Sequence, residues 1–211
     1  PVVLIEAPDT ARAVTVHGDG PIADALEAAA IRAREAQGWG PARERDSTWT
    51  GLAIDGALLV MTDGRTAAQT AADLGARDVA VFDRPLVLPS SPGTALAFAV
   101  APRASASWRS QAAAWLAALG FAPLPLADAP GLVVARTIAM LINEAADAVQ
   151  QGVCSEAGAD AAMKLGVNYP RGPFEWLSLW SAREVIALLD ALDHHYRGER
   201  YRASPFLRHR A

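Results

Sequence analysis

Gly18, Asp19, Gly20, Pro21, Ile22 and Ala23 form a G-x-G-x-x-A run between a strand-like stretch and a helix-like one. Glycines in such a turn let the backbone approach a pyrophosphate, which the N-terminus of the following helix attracts. The chemistry this predicts is nucleotide binding through Gly18, Gly20 and Ala23. The acid that would hold a ribose should follow about 20 residues on. That count falls in the polar stretch Ala42 to Ser47, which has no clear preceding strand and where Glu44 or Asp46 could serve. A vestigial turn that keeps its glycines only for backbone geometry is the competing reading.

Other reactive side chains are scattered. His17 follows a strand, while His194, His195 and His209 lie at or beyond a helix C-terminus, where the helix dipole favours positive charge. An adjacent HH pair on a helix cannot point both rings at one ion, so no metal site is expected. Cys154 is the single cysteine, forms no internal disulfide, fits a reducing cytoplasm and reads as a packed thiol. Asp55, Asp63 and Asp83 follow strands and could carry unrelated chemistry, although such aspartates are also ordinary loop and cap residues. Lys164 and Arg171 flank the turn Tyr169 to Pro173 and are candidates for a phosphate contact, set against a solvated basic edge. Trp176 and Trp180 have the spacing of two residues packed into a helix interface.

Positioning these groups needs a folded core, and the chain can bury one. It has 211 residues, 52% hydrophobic and 20% charged, with a formal net charge of −4. That charge argues against a general nucleic-acid or anionic-membrane surface. Asp, Glu, Arg or Gly interrupts every apolar stretch short of the ~20 residues a membrane span requires. The start has no signal-peptide pattern; it runs from Pro1 into the apolar Val2 to Ile5, as a piece of a longer polypeptide would.

Strand-like runs at Val2 to Ile5, Ala13 to Val16, Leu52 to Ile54, Leu58 to Met61, Val79 to Phe82 and Ala95 to Val100 alternate with helical stretches. The helices expected are Ile22 to Ala36, Thr66 to Leu74 and Ser107 to Leu119, the last ended by Gly120 as a left-handed cap. Gln37 to Ser47 and Pro85 to Pro92 read as loops. The alternation predicts an α/β layer over 1–128. Strand signals then vanish, and 129–211 reads as helical. A helix is expected from about Gly131 to Gln151, with Val134, Ile138, Leu141, Ala145 and Val149 inward. A second runs from Glu156 to Leu165, capped by Ser155, ended by Gly166 and burying Ala157, Ala161 and Leu165. Pro170 and Pro173 fix a rigid bend in which Gly172 is available for a conformation other residues avoid. Ser181 and Glu184 open a last helix, ending near Tyr196, with Val185, Leu188, Leu189 and Leu192 inward.

The runs DAPGLVVARTIAMLINEA and AMKLGVNYPRGPFEW, in that order, resemble the helical domain of the 3-hydroxyacyl-CoA dehydrogenase family. The likeness rests on Asp128, Pro130 and Gly131, on Ala135 and Arg136, on Asn143 to Ala145, and on Asn168 to Pro173. Upstream, Thr94 to Gly120 is similar to the last strand and helix of that family's nucleotide domain. The resemblance implies a degenerate Rossmann-like α/β domain followed by the family's all-α C-terminal helical domain. It also implies the C-terminal half of a longer bacterial enzyme whose N-terminal half is the intact dehydrogenase.

In that family NAD accepts hydride while a histidine, oriented by a glutamate, takes the proton; imidazole suits the task because it titrates near neutrality. Aligned on Gly120, the histidine falls on Pro85 and the glutamate on Ala97. The substrate-binding asparagine falls on Ala135, beside Arg136. The family's serine-bearing turn corresponds roughly to Thr62 to Thr66, where there is no serine. The resemblance therefore implies no catalytic residue here, no NAD bound by this chain, and a role in cleft closure or dimerisation. The implied partners are the N-terminal catalytic half, an acyl-CoA substrate for which Arg136, Lys164 and Arg171 are the candidate contacts, and a second copy in a homodimer, all in the cytoplasm. A free-standing nucleotide- or acyl-CoA-binding protein is the alternative.

Overall fold

The computed structural model describes residues 13–33, 40–86 and 93–211. The chain divides into two compact units. One comprises residues up to Thr62 and Thr66–Leu132; the other comprises Asp63–Arg65 and Val133–Ala211.

The first unit is built on one sheet with the order β2-β1-β3-β4-β5-β6-β7. Its elements in chain order are β1 (Val14–His17), α1 (Pro21–Ala33), β2 (Ala42–Glu44), β3 (Gly51–Ile54), β4 (Ala57–Met61), α2 (Ala67–Asp73), β5 (Val79–Phe82), β6 (Thr94–Val100), α3 (Ala106–Ala118) and β7 (Phe121–Pro125). β1 pairs with β2, β4 with β5, and β6 with β7 in parallel. The contacts of β1 with β3, β3 with β4, and β5 with β6 are antiparallel. The sheet is thus mixed, with helices between its strands. Val16, Leu52, Leu59, Phe82, Trp108, Trp115 and Leu116 are fully buried in its core.

Two strands are not expected from the pattern of apolar runs. β2 is Ala-Arg-Glu inside the stretch read as a loop; its central Arg43 is buried by ion pairing rather than by apolarity. β7 carries Pro123 and Pro125, tolerated because it lies at the sheet edge where a strand can lack donors on one side. The run Val2 to Ile5, the end of the first expected helix and most of Pro85 to Pro92 lie outside the described residues.

The second unit contains α4 (Val134–Gln150), α5 (Glu156–Val167), α6 (Pro173–Leu179), α7 (Ala182–Tyr196), a 3-10 turn (Glu199–Tyr201) and α8 (Pro205–Arg208). α4 starts at Val134, not at Gly131, because Gly131 and Leu132 both adopt positive φ and cannot be helical. Its buried face is Ala135, Ile138, Ala139, Ile142, Asn143 and Ala146. Of the row predicted inward, Ile138 is in the core, whereas Val134, Leu141, Ala145 and Val149 pack only at the flank. Alanines at the centre permit closer helix approach than the larger residues would.

α5 differs more. Gly166 stays helical, and the helix ends at Asn168, which takes the left-handed conformation (φ 56°) that asparagine tolerates. Ser155 caps it as expected, accepting from the Gly158 N–H at 3.1 Å. The inward residue is Ala159, whereas Ala157 and Ala161 are exposed and Leu165 is 88% exposed. Trp176 and Trp180 are buried with Leu189 and Leu192 in the core of this unit.

Candidate functional site

The glycine run sits where its spacing requires, between β1 and α1, and β2 returns parallel to β1 with Glu44 opposite His17. Glu44 therefore stands at the end of a strand, not in the strandless loop expected for it. Gly18 and Gly20 have φ of 92° and 84°, which only glycine adopts without strain. A Cβ on Gly18 would also lie 2.7 Å from Thr50 Oγ1, whereas one on Gly20 would meet nothing within 4 Å. Ala23 is buried against the sheet.

Both glycine N–H groups of this turn are engaged. The Gly18 N–H donates to the Glu44 carbonyl at 2.9 Å. The Gly20 N–H donates to the Asp19 carboxylate, and that bond, with the Arg45 guanidinium 2.9 Å away, holds Asp19 below the ordinary carboxylate range. Arg43 spans the same region. Its Nε donates to the Gly18 carbonyl at 3.1 Å, and its two Nη atoms reach Glu27 at 2.7 Å and Asp24 at 3.0 Å. Beside it His17 stacks on Trp49, with centroids 4.1 Å apart, and Nδ1 lies 3.2 Å from Ser47 Oγ. Burial pushes the imidazole pKa down against the raising influence of Glu44.

Of the two positions aligned with the family's histidine and glutamate, Ala97 lies in β6 and Pro85 lies three residues beyond the end of β5. The Asp83 N–H donates to the Ala97 carbonyl at 2.8 Å, and Pro85 follows two residues later. Pyrrolidine and methyl groups stand at these two positions. Thr62 continues the sheet through its N–H to the Phe82 carbonyl at 2.8 Å. Thr66 caps α2, its hydroxyl accepting from the Gln69 N–H while Gln69 Oε1 accepts from the Thr66 N–H, both at 3.0 Å. Asp128 completes that cap: its carboxylate accepts from the Ala67 and Ala68 N–H groups at 2.7 and 2.9 Å.

The remaining candidates do not converge. Asp55 accepts from the Ala13 N–H in the β3–β4 turn, at the opposite end of the sheet from Asp83, and Asp63 chelates Arg65 within its own loop. His194, His195 and His209 are exposed. Among the described residues no group of three or more His, Cys, Asp or Glu could hold a metal ion.

In the helical unit, Ala135 is fully buried and Arg136 donates to the Tyr196 hydroxyl at 3.3 Å. Lys164 is paired with Glu175, whose other oxygen accepts from the Gly172 N–H at 3.0 Å. Lys164 first and that N–H second hold the Glu175 carboxyl below its usual range. Gly172 has an ordinary φ of −80°, contrary to the expected special conformation. It is glycine for space, since a Cβ there would overlap the Asp160 carboxylate that accepts from the Phe174 N–H at 2.8 Å. Arg171, next to it, is half-buried.

Sequence reasoning missed two roles. Asn143 is 2% exposed; its Oδ1 accepts from the Ser204 N–H at 2.7 Å and its Nδ2 donates to the Arg202 carbonyl at 3.0 Å. Its place on an apolar helix face was the available signal. The role of Asp128 had none, because α2 lies some sixty residues away in sequence.

A strand, glycine turn, helix and parallel strand in a shortened mixed sheet, followed by a unit of amphipathic helices, define a reduced Rossmann-like α/β fold with a helical C-terminal unit. Residues 59–130 match the 3-hydroxybutyryl-CoA dehydrogenase reduced Rossmann-fold domain, and residues 131–211 match the 3-hydroxyacyl-CoA dehydrogenase C-terminal domain. The chain belongs to the 3-hydroxyacyl-CoA dehydrogenase family. It is 44% identical over 158 residues to 3-hydroxyadipyl-CoA dehydrogenase of Escherichia coli, covering 75% of this chain and 32% of the relative. It is 36% identical over 85 residues to 3-hydroxybutyryl-CoA dehydrogenase of Clostridioides difficile, covering 40% of this chain and 30% of that one. A crystal structure of 3-hydroxybutyryl-CoA dehydrogenase from Escherichia coli matches with a TM-score of 0.72 and 40% identity, covering 79% of this chain and 34% of that one. The chain thus spans about a third of the length of these relatives. No helix among the described residues is long and apolar enough to cross a membrane.

Proposed function

We propose that this chain is a non-catalytic C-terminal part of an NAD-dependent 3-hydroxyacyl-CoA dehydrogenase. In this reading it closes the acyl-CoA cleft or extends a homodimer contact, while the N-terminal part of the same cytoplasmic polypeptide oxidises the 3-hydroxyl group. The observation that carries it is that Pro85 and Ala97 stand at the two positions aligned with the family's histidine and glutamate, with Ala135 buried beside Arg136. Neither Pro85 nor Ala97 can move a proton, and a methyl group cannot replace an asparagine's contact with substrate. The glycine turn supports it further, because a pyrophosphate approaching α1 would meet the Asp19 carboxylate already on the Gly20 N–H. The residues present do not fit NAD, and no step of the reaction is assigned to them. The test is NADH oxidation with acetoacetyl-CoA: no turnover by this chain alone, and turnover when it is joined to the N-terminal part. Turnover by the isolated chain would overturn the reading.

A second reading, a nucleotide- or acyl-CoA-binding protein without dehydrogenase activity, draws on the position of Glu44 at the end of β2. Calorimetric titration with NAD and with acetoacetyl-CoA separates the two. Saturable NAD binding that is lost in Gly20→Trp favours the second.

A further inference from the structure

At the sheet end opposite the glycine turn, a cavity of about 780 Å³ opens between α2 and the turn after β6. It is lined by Ala68, Ala71, Ala72, Gly75, Ala76, Ala101 and Pro102, with the two cations Arg77 and Arg103. Short side chains on this face of α2 leave the space. The volume lies within the range of pockets that enclose a small organic molecule, roughly 300–1,000 Å³.

The charged side chains that line it, Arg77 and Arg103, have one sign. Arg77 Nε donates to the Arg103 carbonyl at 3.1 Å, which holds the Arg77 guanidinium beside the 101–103 turn. Arg109 is pinned to the same turn through the Ala101 and Pro102 carbonyls at 3.3 and 2.8 Å. The neighbouring carboxylate, Asp78, is consumed by the Ser105 N–H and hydroxyl at 2.6 and 2.9 Å, where it supports the cap of α3. No acidic side chain lines the cavity among the described residues. Guanidinium groups favour planar or tetrahedral oxyanions because their N–H donors form a fixed fork.

We propose that this cavity binds an amphipathic organic anion, its apolar body on the alanine floor and its carboxylate or phosphate end on Arg77 and Arg103. The site stands apart from the dehydrogenase positions at Pro85 and Ala97, so it does not depend on the proposed function above. A fatty carboxylate and a phosphate monoester share the recognised chemistry, and separate probes distinguish them.

The experiment uses the whole chain with 1-anilinonaphthalene-8-sulfonate as fluorescent probe, displaced by octanoate or by octyl phosphate. We expect saturable binding at one site, competed by one or both octyl anions but not by octanol or inorganic phosphate. The double variant Arg77→Gln with Arg103→Gln should weaken binding at least about tenfold, the loss of two charge-assisted contacts. Ala72→Trp, at an exposed position, should abolish it by filling the floor. Both variants must keep the parent's melting temperature; if either does not, Arg77→Gln alone and Ala68→Leu take their places. Probe binding that does not saturate, or that survives both kinds of substitution, overturns the proposal, as does equal competition by octanol.

Discussion

The glycine-containing bends before α1 and before α6 solve the same problem with different physics. Before α1, Gly18 and Gly20 are required by positive φ; before α6, Gly172 has ordinary φ and is required by the volume of Asp160. In both, a carboxylate of the chain itself takes a glycine N–H at the helix start, Asp19 in the first and Glu175 in the second. Each carboxylate has its own cation, Arg45 and Lys164 respectively. A glycine motif therefore reports a backbone requirement, and only the state of its donors reports whether an external anion is invited.

The largest test of that contrast is Gly172→Ala. With no room for a Cβ, overpacking should cost about 3 kcal/mol in urea-unfolding experiments. Gly172→Ala combined with Asp160→Gly should recover part of that loss if space is the cause. Arg43→Met comes next. Its side chain is only 9% exposed and neutralises Glu27 and Asp24, but those partners are 30% and 61% exposed. Discounting for solvent screening, the expected loss is about 1–2 kcal/mol by the same measurement. Gly20→Ala should cost about 1 kcal/mol, the left-handed penalty alone, since open space surrounds the new methyl. A Gly20→Ala loss equal to that of Gly172→Ala would erase the distinction between conformation and volume.

The smallest effect is in the pH dependence. His17 titrates below its ordinary 6.5 in the folded chain, so between the two values the unfolded chain binds more protons and stability falls as pH falls. Asp19 and Glu175 are held below their ordinary 3.8 and 4.5, so their stabilisation is present above those values and is lost on further acidification. Melting temperature should thus decline in two phases below neutrality. His17→Gln should flatten the first phase and leave the second.

Much of this was legible in the residues. Apolar runs give β3, β4, β5 and β6 within a residue, and Ser155 and Ser181 cap helices as their spacing predicts, whereas the cap of α3 is Ser105 and not a residue of the expected start at Ser107. β2 was hidden because its inward residue is a paired arginine, and β7 because edge position excuses its prolines. The inward face of α5 was misread since Ala157, Ala161 and Leu165 share helical spacing while only Ala159 contacts the core. Glu44 could be counted to but not recognised without β2. The bonds made by Asp128 and Asn143 span about sixty residues each, and no local pattern carries them.

The Asn143 bridge bears on how the chain is made. The amide at the middle of α4 finds both partners in the backbone of residues 202–204, and Leu207 closes the same core. During synthesis α4 leaves the ribosome with its buried amide facing an unfilled slot, and some sixty further residues must follow before the slot is occupied. The core around α4 is therefore complete only once residues 202–207 have been made. Chains halted short of Arg202 would present an apolar groove and two unmet polar groups to chaperones and proteases.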